Sequence, residues 1–350
     1  MPRLTWEPLA LPLEFTFTIS RSSKTVAQTV LVRLYHTAPD GLAFEGLGEA
    51  VPAKVYGEDA DSVCAFYENL QSQPWLAELD PFDLQGLHEA LDRLPGNRAA
   101  KAGLEMAFYD LQGKLLEIPL YRLWGLDPRR APKTSYTIGL ADLETVRRKT
   151  ETALSRGYDV LKIKLGGTDD VAALRLIRSM TPQATLRADA NAAWTLREAL
   201  EMLPLLADLG IEFLEEPLKL GTPDADHLEL KEKSLIPIMA DESCHTLQDI
   251  PRCATLFHAI NLKLTKTGGL WEAQRMIHAA HAHDLKVMLG CFSETSVSIS
   301  ALAHLSPLVD YADLDGSLLL AQDPFDGVRF EGCRMHLPHR PGLGVLPRGQ

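Results

Sequence analysis

Six short charged signatures lie between Lys162 and Asp315: Lys162-Ile163-Lys164, Asp189-Ala190-Asn191, Glu215-Glu216-Pro217, Asp241-Glu242-Ser243, Lys266-Thr267-Gly268-Gly269 and Asp313-Leu314-Asp315. Charges at 164, 189, 215, 241 and 266 are separated by 25, 26, 26 and 25 residues. Three carboxylates brought together repel one another and are costly to desolvate unless a cation joins them. Asp189, Glu215 and Asp241 offer only oxygen, with no His or Cys at ligand spacing. That donor set suits Mg2+, a hard ion that keeps positions open for substrate oxygens, and not zinc. Lys162 and Lys164 are two apart, so on a strand they share one face while Leu161, Ile163 and Leu165 take the other. A lysine buried beside other cations loses proton affinity and becomes a general base. Lys266 is expected on the opposite side as a second base. Lys263 competes for that role, but three residues earlier it has the opposite strand parity and is expected to face outward or lie deeper. An amine on each side of a metal-bound substrate removes a proton from one face of a carbon and returns one to the other. A proton α to a carboxylate is a very weak acid. A divalent ion neutralises the charge that grows on its removal, and a positioned base contributes ~10²–10⁴-fold.

These groups need elements that bring them together. Each charge closes a short apolar run, such as Val160-Leu161, Ala184-Thr185-Leu186, Ile211 to Leu214, Ile236 to Ala240 and Ile260-Asn261-Leu262, and is followed by a turn and a helical pattern. A strand-plus-helix unit repeating at this period, with polar groups at the strands' C-terminal ends, describes a (β/α)-barrel with its site at the mouth. Thr195 to Glu198 forms a capping box after Asp189, and Thr246 to Asp249 a looser one after Asp241. The barrel starts at Ser135–Gly139. Its seventh strand is Lys286–Gly290 and its eighth Val309–Asp313, with the last helix replaced by the tail. Ahead of it, residues 1 to 55 read as β, with Thr29–Tyr35 paired to Phe44–Ala50 and a polar loop at Thr18–Lys24. Residues 59 to 124 read as helical. Leu104, Ala107, Phe108, Leu111 and Leu115 share one face of the strongest helix. The expected architecture is α/β: a modified TIM barrel, (β/α)7β, at 133–317, preceded by an α+β unit at 1–125 and followed by a tail at 318–350 that folds back onto that unit.

Composition narrows the function classes. The chain has 350 residues and a net charge of −12, with no Lys/Arg run, which argues against nucleic-acid binding. Its five cysteines are scattered without a Cys-x-x-Cys, as suits reduced thiols in a cytoplasm. No signal pattern opens the sequence, and no apolar run reaches the ~18 residues a membrane span needs.

Taken together, Lys-x-Lys, Asp-Ala-Asn, Glu-Glu-Pro, Asp-Glu-Ser and Lys-Thr-Gly-Gly resemble the muconate-lactonizing subgroup of the enolase superfamily. The likeness extends to Glu105–Leu111 and Gly113-Lys114 in what would be an N-terminal capping domain. That superfamily is itself the standing example of a Lys or His base working with Mg2+. The resemblance implies a metal at Asp189, Glu215 and Asp241, with Asn191 and Glu216 bracing those ligands. Lys164 and Lys266 would be the acid/base pair, and Lys162 would support Lys164 and contact the substrate carboxylate. Asp313 and Asp315, two apart on the last strand, would clamp an ammonium group, a pattern similar to that of dipeptide epimerases. Glu294 stands where the subgroup often keeps a glutamate. The Thr18–Lys24 loop would close over the mouth, with Arg21 or Lys24 pairing an acidic side chain as in an L-Ala-D/L-Glu substrate. The activity implied is Mg2+-dependent epimerisation at the C-terminal residue's α-carbon, through an enediolate, by a protein that assembles as a homo-oligomer. The competing readings are N-acylamino acid racemase, o-succinylbenzoate synthase, a muconate-type cycloisomerase, and a metal-binding module without catalysis.

Overall fold

Strict alternation builds the barrel. The computed structural model describes residues 3–349. Within it, eight parallel strands follow one another around a sheet in sequence order. They are β4 (Tyr136–Ile138), β5 (Val160–Lys164), β6 (Thr185–Asp189), β7 (Ile211–Glu215), β8 (Ile238–Ala240), β9 (Ala259–Leu262), β10 (Lys286–Gly290) and β11 (Tyr311–Asp313). The two edges meet through a Thr134–Ala312 bridge and a Ser135 N–H donated to Ala312 O at 3.1 Å, which nearly closes the cylinder. On β5, Leu161 and Ile163 join the large core beneath the helices, and Lys162 and Lys164 point inward. Deeper inside, Phe213, Met239, Ala259 and Met288 fill the barrel floor, and the Arg187 guanidinium sits 5.3 Å from the rings of both Phe213 and Tyr311.

Helices follow the first seven barrel strands: Leu143–Ser155, Asp170–Met180, Leu196–Asp208, Asp224–Lys233, Ile250–Leu256, Leu270–Ala282 and Ser296–Leu305. After β11 only a 3-10 turn, Gly316–Leu319, forms, so the pattern is (β/α)7β. The capping box Thr195/Glu198 is made in both directions.

Ahead of the barrel, β1 (Arg3–Ile19), β2 (Ser22–Thr37) and β3 (Ala43–Ala50) form an antiparallel sheet. It packs on the helices Ala60–Gln71, Leu84–Asp92 and Arg98–Leu115 through Val30, Val32, Leu34, Tyr67, Leu104 and Phe108. β3 lies so close to the last helix that a Cβ on Gly48 would stand 1.9 Å from Gly103 O. The polar loop at Thr18–Lys24 is a tight hairpin tip. Phe17 pairs with Lys24, Thr18 with Ser23 and Ile19 with Ser22, because alternating Phe17 and Ile19 continue the β pattern to the turn. The tail touches both halves. Ala321 N–H donates to Pro12 O and Leu343 N–H to Asp110, and Thr134 N–H donates to Cys333 O under the barrel floor. Among the described residues, no helix is long and apolar enough to cross a membrane.

Candidate active site

The C-terminal ends of the barrel strands open into a cavity of about 70 Å³, roofed by Phe17, Ile19, Arg21 and Lys24 of the β1–β2 hairpin. Parallel pairing sets Lys164 beside Asp189 and Asp189 beside Glu215. Lys162, Lys164, Asn191, Glu242, Lys263, Asp313 and Asp315 line its walls.

Each barrel lysine at the site is paired with an acid. Lys164 Nζ donates to Asp189 Oδ2 at 2.6 Å. Lys162 Nζ donates to Asp313 Oδ2 at 2.7 Å and lies 2.6 Å from Glu215 Oε2 and 3.2 Å from Asp189 Oδ2. Asp241 takes one lysine on each oxygen, Lys266 on Oδ1 and Lys263 on Oδ2, both at 2.6 Å. Burial pushes the Glu215 carboxyl up to about 8, with repulsion from Asp189 and then Asp241 adding to it. For Asp241, burial acts upward, but Lys263 and Lys266 outweigh it and hold the carboxyl well below its usual range.

The bracing residues are in reach of these acids. Asn191, at a φ of +46°, donates its N–H to Asp189 Oδ1 at 2.8 Å. Glu216 Oε2 accepts the Asp241 and Ser243 N–H groups at 2.7 and 3.0 Å.

Asp313 and Asp315 share the wall expected of them. Asp313 accepts from Ser135 Oγ at 2.5 Å and Asp315 from Thr137 N–H at 2.7 Å. Burial and the neighbouring Asp313 push Asp315 up to about 7. Glu294 is buried just outside the wall, its Oε2 accepting from Ser298 Oγ at 3.2 Å and its Oε1 without a partner.

The placement of Lys266 and Lys263 differs from the one expected. Lys266 does not reach the cavity, and Lys263 does. The parity count ran an extended chain from β9 to residue 266, whereas β9 ends at Leu262 and a helical turn, Leu264–Thr267, follows. Asn261 points inward to donate to Glu215 Oε1 at 2.8 Å, so Lys263, two residues on, shares its face. Lys263 Nζ also stands 4.8 Å from the Phe292 ring on the cavity wall. Arg21 also lines the cavity, where it is ion-paired with Glu242 and donates to Asn191 O at 2.9 Å. Lys24 alone of the cavity's cations makes no ion pair among the described residues. Sequence reasoning missed Tyr56 and Phe292, which no charge or spacing marks, on the same wall.

Among the described residues, no three Asp, Glu, His or Cys side chains are arranged around a common point suited to a metal, because lysines occupy the carboxylate oxygens between them. The donor set still fits a divalent cation. Three wholly buried carboxylates end consecutive strands, and they stand close enough for their repulsion to raise Glu215.

The family described as "Mandelate racemase / muconate lactonizing enzyme, N-terminal domain" matches residues 7–125, and "Enolase C-terminal domain-like" matches 145–350. The chain belongs to the mandelate racemase / muconate lactonizing family of the enolase superfamily. It is 37% identical over 346 residues to an L-Ala-D/L-Glu epimerase of Bacteroides thetaiotaomicron, covering 98% of this chain and 88% of that one. A substrate-liganded L-Ala-D/L-Glu epimerase from Bacillus subtilis superposes with a TM-score of 0.89 at 31% identity, covering 99% of this chain and 98% of that one. The dipeptide epimerase of Cytophaga hutchinsonii, complexed with Mg and D-Ala-L-Val, superposes with a TM-score of 0.88 at 28% identity, covering 100% and 96%.

Proposed function

We propose that this enolase-superfamily enzyme is a Mg2+-dependent dipeptide epimerase, an isomerase that inverts the α-carbon of the C-terminal residue, with L-Ala-D/L-Glu as substrate. The single observation that carries the mechanism is the pair of amines facing each other across the cavity. Lys164 ends β5 and Lys263 follows β9, four strands away in an eight-stranded cylinder and so on the opposite wall.

Asp189, Glu215 and Asp241 would hold the metal ion. When bound, it supplies positive charge to the substrate carboxylate as the α-proton leaves. The other steps belong to the chain. One of Lys164 and Lys263 takes the proton from one face of the α-carbon, and the other returns one to the opposite face. To act as a base, Lys263 must leave Asp241 and Lys164 must leave Asp189, which would free both carboxylates to hold a divalent cation. Lys162 stays beside the substrate carboxylate, and Asp313 with Asp315 receives the free N-terminal ammonium. That ammonium separates this reading from racemases of acylated amino acids, which have none. Lys24, unpaired in the hairpin roof, supports an acidic side chain on the epimerised residue. The hairpin that roofs the cavity would lift to admit a dipeptide and close again over it.

The relatives' names support the same activity. The acidic net charge and five free thiols support a reducing compartment such as the cytoplasm, and a small-molecule partner instead of nucleic acid. The test is incubation of L-Ala-L-Glu with Mg2+ in D2O, read by mass spectrometry and chiral chromatography. The expected result is uptake of one deuterium, at the Glu α-carbon, with appearance of L-Ala-D-Glu. Exchange confined to N-acylated amino acids would reject the assignment.

A further inference from the structure

Lys266 carries a buried charge that the mechanism above leaves unused. Its ammonium is enclosed and saturated: it donates to Asp241 O at 2.5 Å, Asp241 Oδ1 at 2.6 Å and Asn261 O at 2.7 Å. An ammonium has three N–H bonds, and all three are spent within the protein. Two of the three acceptors belong to Asp241, one on its main chain and one on its side chain, so the rotation of that carboxylate is fixed. The third, Asn261, lies on β9 two residues before Lys263.

The turn bearing Lys266 is fastened from outside by the N-terminal domain. Arg98 Nη1 donates to Lys266 O at 2.8 Å, and Thr265 Oγ1 donates to Val51 O at 2.6 Å. Glu58 in turn accepts the Arg98 and Ala99 N–H groups at 2.6 and 3.1 Å, at the start of the helix Arg98–Leu115. Gly268, at a φ of +85°, ends the turn, and a Cβ on Gly269 would stand 1.3 Å from Glu105 Oε2. The Lys-Thr-Gly-Gly run is thus a docking turn between the two domains, with its lysine reaching through to a site acid.

We propose that Lys266 is a positioning residue which fixes the Asp241 carboxylate for the metal ion and ties that carboxylate to the docked N-terminal domain through Arg98. This rests on the reading of Asp241 as a metal ligand. A lysine acting only as counter-charge would oppose a dication, and its removal would tighten Mg2+. A lysine that orients the ligand has the opposite effect, because loss of a hydrogen bond that orients a ligand weakens metal affinity by about 10- to 100-fold.

The experiment is Mg2+ titration of the substrate-free protein by isothermal calorimetry, for wild type, Asp241→Asn, Lys266→Met and Arg98→Met. The expected result is a Kd raised about 10- to 100-fold in Lys266→Met. Its epimerase kcat should recover at raised Mg2+ while the dipeptide KM stays within about two-fold of wild type. Arg98→Met, which leaves the buried site intact, should raise the Kd several-fold with an unchanged circular dichroism spectrum, and it decides the matter if Lys266→Met does not fold. An unchanged or tighter Kd in the folded variants overturns the proposal. Unaltered Mg2+ binding by Asp241→Asn would instead reject the metal reading on which it rests.

Discussion

Substituting Lys24 tests how the substrate's side chain is read. Lys24 is half-buried at the hairpin tip, beside Phe17 and over the cavity, with no carboxylate of its own. Burial lowers its pKa, with Glu294 acting the other way and Lys164 and Lys263 adding repulsion, so an arriving anion gains a partner there. Two unit charges 4 Å apart attract by about 4 kcal/mol at an effective dielectric constant of ~20. Desolvation and screening leave the roughly 1.5–3 kcal/mol typical of a hydrogen bond to a charged group, or about 10- to 150-fold in kcat/KM. Lys24→Met is therefore expected to lower kcat/KM for L-Ala-L-Glu by that factor, with most of the loss in KM. For the uncharged isostere L-Ala-L-Gln the loss should stay under about five-fold, since only a neutral contact is removed. The assay is polarimetry or chiral chromatography on both dipeptides under one Mg2+ concentration. Equal losses on the two substrates would refute the charge argument. So would a Glu-specific loss in Arg21→Met with none in Lys24→Met.

Three further outcomes follow from the geometry. Asp315, pushed up to about 7 by burial and Asp313, must be ionised to receive an ammonium, so kcat/KM should rise as pH increases through about 7 and flatten above it; Asp315→Asn should lose about 100-fold and the rise together, and a pH profile retaining the rise would refute this. Glu105, wholly buried with Oε2 unpartnered, has its carboxyl raised to about 8, chiefly by burial. In the folded state it binds a proton that the unfolded chain has released above about 4.5, so its contribution to stability falls as pH rises from there to about 8. Glu105→Gln should accordingly melt several degrees above wild type at pH 8 and nearly equal to it at pH 5, and a constant difference would contradict the sign. Removing divalent ions with EDTA should abolish epimerisation and Mg2+ should restore it, with activity surviving in EDTA as the contrary result.

Much of this was legible in the sequence because the barrel converts spacing into convergence. A charge at each strand's C-terminal end lands on the same rim, whatever lies between, so Lys164, Asp189, Glu215 and Asp241 could be gathered from their period, Lys162 from its parity with Lys164, and Asp313 and Asp315 from their place on the last strand. Parity failed where the chain stopped being a strand. Lys263 and Lys266 are both inward because a helical turn starts at Leu264, and a three-residue step in a helix returns to nearly the same face, unlike a three-residue step in a strand. The hairpin tip was hidden by composition: Ser20-Arg21-Ser22-Ser23 reads as a polar loop, yet the ladder extends to Ile19 and Ser22. Pairing inside the cavity was not legible at all. That Arg21 is held by Glu242 while Lys24 is not depends on contacts between segments more than 200 residues apart.

The central claim is that Lys164 and Lys263 act on opposite faces of one carbon, and stereospecific proton exchange measures it most directly. Lys164→Met and Lys263→Met should each lose epimerisation, and in D2O with Mg2+ each should retain α-exchange with only one of L-Ala-L-Glu and L-Ala-D-Glu, a different one for each variant. If Lys263→Met exchanges both isomers, or if Lys266→Met at saturating Mg2+ is the variant that loses one of them, the two-amine arrangement described here is wrong.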